Sequence, residues 1–191
     1  MEVEKMSARQ LNTFPGTYCA GITFPELLIA VAILGLTLTV AVPSFARLHH
    51  SNAMTSQVNH LISHLNLARS AAITRGTRVL LCPSSDGTSC LGEPHWHRGW
   101  TVFVDHNTNR ELDDGEEILR AVSRVKAGIT LTSSQHRRRI VYQPSGFPHG
   151  SNTTFTFCHP AATVPPKAVI LSNSGRPRVS ESKPDGGALS C

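Results

Sequence analysis

The chain has no C-x-x-C pair, no H-E-x-x-H run, no Walker-type glycine loop and no nucleophile elbow. With them go the common sequence signs of a thiolate zinc knuckle, a zinc protease, a P-loop nucleotide site and a serine hydrolase. It has no internal repeat and no low-complexity tract. No A-x-A-like site follows its oily segment, so an ordinary cleaved secretory signal fits poorly. Between Leu27 and Val42 there is no charged residue, and Thr37 and Thr39 are the only polar ones.

What is present starts with that segment. From Ile22 to Val42 the run is 21 residues long, with Glu26 as its one charge. That length spans the roughly 30 Å core of a bilayer as a helix. The run is apolar all round instead of along one stripe, which favours a retained anchor over a buried core helix. A lone carboxylate inside such a run is costly and marks function.

The remaining length, in a chain of 191 residues, is enough for one ordinary domain. Eighteen Lys and Arg against 13 Asp and Glu give a net charge of +5, which permits binding to nucleic acid or an anionic surface without requiring it. Ten histidines add latent positive charge in acid. Cys19 precedes the oily run, whereas Cys82, Cys90, Cys158 and Cys191 follow it. Four cysteines in an exported part suit two disulfides in any of three pairings, with Cys82–Cys90 and Cys158–Cys191 favoured. Zinc held by the four thiolates is the competing reading.

After Pro43, which predicts a kink, Phe45, Leu48, Val58, Leu61, Ile62, Leu65, Ala68 and Ala72 recur at helical spacing. An amphipathic helix is expected from about Pro43 to Arg75, with Gly76 as its stop. Beyond it the pattern shortens to strand-like runs at 77–82, 100–105, 117–122, 128–133, 139–143, 153–158 and 167–172, with a last short one at 176–180. The fold class expected is therefore α+β, a long N-terminal helix packed on a small β-rich domain.

No catalytic set and no cofactor site stands out. His95–His97 and His49–His50 read as surface histidines more readily than as metal ligands. The stretch "ELDDGEEIL" resembles a calcium loop only loosely, lacking alternating ligands, and reads as a solvated turn before a strand. Two basic features remain. In "HRRR", Arg137 and Arg139 share one face of an extended run and Arg138 takes the other; an ordinary solvated edge explains it. In "SGRPRVS", Gly175 permits a tight turn and Pro177 stiffens the backbone between Arg176 and Arg178, so two guanidiniums stand ready for successive phosphates.

The stretch "AGITFPELLIAVAILG" resembles the class III signal of type IV pilins and type II secretion pseudopilins. The resemblance implies that a prepilin peptidase cuts after Gly21, the last residue of a 21-residue leader, and methylates Ile22. It also makes Glu26 the assembly glutamate and Pro43 the proline that ends the apolar run. Ile22 stands where phenylalanine is commoner, and Pro25 replaces an aliphatic residue; a start at Met6 shortens the leader. The rest of the chain resembles the GspH/FimT branch through "WTVFVDHNTNRELDDGEEIL", "YQPSGF" and the pairing of "FTFC" with "AVILSNSGRPR". In FimT-like pilins a G-R-x-R element is associated with binding DNA during natural transformation. It corresponds here to Gly175, Arg176 and Arg178, with Arg137, Arg138, Arg139 and Lys167 as candidates to widen the patch. The implied protein is not an enzyme. Its partners are the peptidase, major and minor pilins, inner-membrane assembly machinery and double-stranded DNA; its domain faces the periplasm and later joins a surface pilus. A secretion pseudopilin, or a minor pilin without DNA binding, is the alternative within the family.

Overall fold

The computed structural model describes residues 21–125, 128–134, 136–160 and 164–191. Cys19 and the leader up to residue 20 lie outside the described residues. The chain divides into two compact units, Met1–Val42 and Pro43–Cys191.

Helix α1 (Phe24–Arg75) contributes to both and is helical through Pro43. In the first unit every described residue is exposed, including Leu27, Ile33, Leu36 and Val40, so none of the described residues covers this apolar surface. The two threonines carry no unmet polar group there. Thr37 Oγ1 donates to Leu34 O at 2.9 Å and Thr39 Oγ1 to Leu36 O at 2.7 Å, which removes the cost of a bare hydroxyl in an apolar setting.

In the second unit Met54, Val58, Leu61, Leu65, Ala68 and Ala72 are buried at three- and four-residue spacing. Fully burying a leucine such as Leu61 or Leu65 contributes about 1.5–3 kcal/mol. Gly76, at φ +65°, closes the helix by donating to Ala72 O.

The strands that follow among the described residues are β1 (Arg78–Pro83), β2 (Trp100–Asp105), β3 (Ile118–Val122), β4 (Thr130–Thr132), β5 (Ile140–Tyr142), β6 (Thr153–Cys158), β7 (Lys167–Leu171) and β8 (Pro177–Ser180). They form two antiparallel four-stranded sheets, β3-β2-β1-β5 and β4-β6-β7-β8. The main core joins the helix stripe to Val79, Leu81, Val102 and Tyr142 of the first sheet and Leu131, Phe155, Phe157 and Val169 of the second. Leu80, Cys82, Phe103 and Val141 make a smaller cluster on the other face of the first sheet, under Cys90 and Leu112. Strands β1 and β2 are thus buried on both faces, which is why they read as unbroken apolar runs.

Among the described residues the disulfides Cys82–Cys90 and Cys158–Cys191 close a short and a long loop. The second fixes the chain's C-terminus to the end of β6. In the "HWH" segment Trp96 is wholly buried in a single 3₁₀ turn (Trp96–Arg98), with Nε1 donating to Arg137 O at 2.9 Å.

Candidate nucleic-acid interface

Strand β8 is the outer strand of its sheet, and Pro177 is tolerated there because an edge strand leaves one row of amides unpaired. Its register sets which way the arginines face. Pro177 lies opposite the buried Leu171 and Val179 opposite Val169, while Arg178 lies opposite Ile170. Alternation therefore turns Arg178 to the face away from the core. Both Arg176 and Arg178 are exposed. Neither guanidinium forms an ion pair or hydrogen bond among the described residues.

The turn that presents them is held from beneath. Gly175 has φ +78° and donates to Ser172 O at 3.0 Å. A Cβ at this position would stand 2.4 Å from Gly146 O. Gly146 belongs to the "YQPSGF" turn, itself closed by Gly146 N donating to Gln143 O at 2.8 Å. Arg69 Nε of α1 donates to Gly146 O at 3.0 Å, and Tyr142 Oη to Gly175 O at 3.2 Å. Burial pushes the Tyr142 phenol well above its ordinary pKa, so it stays a donor. The sequence alone did not reveal Arg69, Tyr142 and Gly146 as supports of the arginine turn, because they are distant in the chain.

Arg178 lines a groove of about 430 Å³ with Ser134, Asn152, Thr154, Ser172 and Asn173. These hydroxyls and amides are ordinary neutral phosphate partners. A second groove shares Ser134, Thr154 and Pro184 with it and adds Lys183. Lys183 sits in the "ESKPDGGALS" tail, which reads only as loop; it follows β8 by three residues in a turn closed by Lys183 N donating to Gly187 O at 2.8 Å.

The other basic candidates are not gathered here in a free state. Arg137 donates from Nη1 to Gly150 O at 2.5 Å and from Nη2 to Asn152 O at 3.0 Å. Arg139 donates to Arg110 O and pairs with Glu111 at 2.7 Å. Lys167 lies two residues from Val169 on the core-side register of β7 and donates to Thr55 Oγ1 at 3.0 Å. Their interactions clip loops and the helix together. Type and position in sequence do not separate an unpartnered arginine from one already hydrogen-bonded within the domain. Arg138 alone of this group is exposed without a side-chain partner among the described residues, on the turn that supplies Ser134 to the groove.

A family model described as "Type II transport protein GspH" matches residues 57–175, more than half of the chain. The chain belongs to the GspH family. This is a family of minor pilins and pseudopilins, structural subunits anchored by an apolar N-terminal helix. The family match ends at Gly175, so Arg176 and Arg178 stand just beyond it. The chain is 28% identical over 166 residues to the "Pilin-like protein PilA1" of Thermus thermophilus, covering 83% of this chain and 97% of that protein. Two crystal forms of the type IV minor pilin FimU of Pseudomonas aeruginosa share the fold, both at 18% identity. The TM-scores are 0.56 and 0.52; the matches cover 73% and 71% of this chain, and 95% and 96% of the FimU chains. The pilin-like fold expected from the N-terminal motif is therefore the fold this GspH-family chain has.

Proposed function

We propose that the protein is a minor type IV pilin that binds extracellular double-stranded DNA for uptake in natural transformation. The observation that carries this reading is the pair Arg176 and Arg178, exposed at a sheet edge without partners among the described residues. The contact is centred on phosphates, so it is nearly independent of base sequence and strongly salt-dependent. Lys183 and Arg138 extend it, in place of the occupied Arg137, Arg139 and Lys167.

Delivery follows from the front of the chain. Cleavage after Gly21 by a prepilin peptidase leaves a positive amine on Ile22. In the inner membrane the globular unit faces the periplasm. In the fibre that amine neutralises Glu26 of a neighbouring pilin, in an apolar setting where an opposite charge matters most.

A second reading, a pseudopilin of a type II secretion system, is favoured by the description of the matching family model. One experiment in the native cell separates the readings. Cells carrying Arg176→Ala with Arg178→Ala are expected to keep their pili and lose most DNA uptake, while Glu26→Gln cells lose incorporation of this subunit. Normal uptake in the arginine double variant, with secreted protein accumulating inside cells that lack the chain, supports the secretion reading instead.

A further inference from the structure

The connection from β2 to β3 contains an arrangement that DNA binding does not use. It begins at Asp105, the last residue of β2, which is wholly buried. Asp105 Oδ2 accepts from Arg110 N at 3.3 Å. Its twin, Oδ1, is buried and has no hydrogen-bond donor among the described residues. Leaving a buried carboxylate oxygen unmet costs more than an unmet neutral group. Because Oδ2 takes a main-chain N–H from Arg110, the carboxylate group faces the loop.

Counting from Asp105 as position 1, oxygen-bearing residues recur as Asn107 at 3, Asn109 at 5, Glu111 at 7, Asp113 at 9 and Glu116 at 12. That is the ligand spacing of a twelve-residue calcium loop, in which position 7 contributes its main-chain carbonyl. Position 6, where the fold of such a loop needs a left-handed residue, is Arg110 at φ +68°. The side chains converge. Asp113 Oδ2 accepts from Asn107 Nδ2 at 2.8 Å and Asn109 Nδ2 at 2.6 Å. Glu116 folds back over the loop, accepting from His106 N at 3.0 Å and Asp113 N at 3.3 Å.

As the loop stands, no three carboxylate, imidazole or thiolate groups among the described residues are grouped as metal ligands. Asp113 and Glu116 are instead satisfied by N–H groups of their own loop. A cation would exchange those donors: turning over the two Asn amides brings oxygens where nitrogens now face Asp113, and Glu116 swings from the main chain to the ion.

We infer that the loop Asp105–Glu116 is a site for a calcium ion, held by Asp105, Asn107, Asn109, Asp113, Glu116 and the Glu111 carbonyl. The donors are all hard oxygens on a loop able to give six or seven of them, which suits calcium over the smaller, strictly octahedral magnesium. Affinity belongs to the weak range of extracellular modules, about 10⁻⁴–10⁻³ M. Two arginines oppose the ion: Arg78 donates to Thr108 O at 3.2 Å, and Arg139 donates to Arg110 O. A bound ion would fasten the end of β2 to the start of β3 once the domain meets a calcium-containing medium.

The test uses the full chain in non-ionic detergent, with calcium chloride as probe. Calorimetric titration is expected to give one calcium per chain, with magnesium at least about tenfold weaker. At about ten times the dissociation constant, the thermal midpoint should rise by about 3–5 °C and fall back on adding EGTA. Glu116→Gln and Asp105→Asn should each lose that rise. No heat and no shift up to about 10 mM calcium overturns the site. So does an undiminished rise in both variants, or an equal response to magnesium. Should either variant fail to fold, the wild-type titration decides alone.

Discussion

At Gly175 the backbone takes φ +78°, and any Cβ would press on the carbonyl of Gly146 at 2.4 Å. The glycine of the G-R-x-R element thus acts on the fold first and on a ligand only through the arginines it aims. Gly175→Ala is expected to lower stability by about 1–2 kcal/mol from the left-handed backbone alone, and further from the clash. Thermal unfolding of the variant measures this; an unchanged midpoint would mean that the turn is not held as described. Arginine chemistry shows the limit of reading at this scale. Arg137, Arg139 and Arg178 look alike in sequence, yet the first two serve carbonyls of Gly150, Asn152 and Arg110. Nothing local in the chain announces partners so far away. The calcium loop was hidden for another reason. Asp105 reads as the last residue of an apolar strand, so a window opened at Glu111 misses half the alternation.

Secondary elements were far more legible. The described strands match the runs marked by Gly, Pro, Asn and Asp, with ends differing by at most two residues. Continuous burial of β1 and β2, and the three-four spacing of α1, leave little choice of element. Element contacts were not legible, and one of them predicts a pH response. His64 of α1 accepts at Nδ1 from Trp100 Nε1 of β2 at 3.2 Å, a bond that requires a neutral ring nitrogen. Burial, then His60 and Arg120, lower the His64 pKa; burial is likewise the first cause of lowered values at His97 and His159. The unfolded chain therefore takes up protons at a higher pH than the folded one. Stability is fully present above the unfolded value near 6.5 and falls as pH drops below it. Urea unfolding at about pH 7.5 and 5.5, on either side of that value, should show this loss, and His64→Gln should reduce it. An identical pH dependence in the variant would remove His64 from the account.

For the whole molecule, the net charge of +5 is too small to specify a partner, and its distribution matters more. Arg139 pairs with Glu111 and Arg137 is tied to main-chain carbonyls, whereas Arg176 and Arg178 stand exposed two residues apart. On the proposed function, two arginines per chain would bind weakly, and several copies on a fibre would gain by engaging one DNA molecule together. The apolar N-terminal helix and the exposed arginine edge are separate devices. The first was legible as a family signal, whereas the second rests on two residues just past the end of the family match. The most direct measurement is the salt dependence of duplex binding by the full chain in detergent. The logarithm of the association constant, plotted against the logarithm of salt concentration, should fall linearly. Replacing both Arg176 and Arg178 by alanine should make that slope shallower by about 2, close to one phosphate contact per arginine. An unchanged slope and affinity in the double variant would contradict the assignment of DNA binding to this edge.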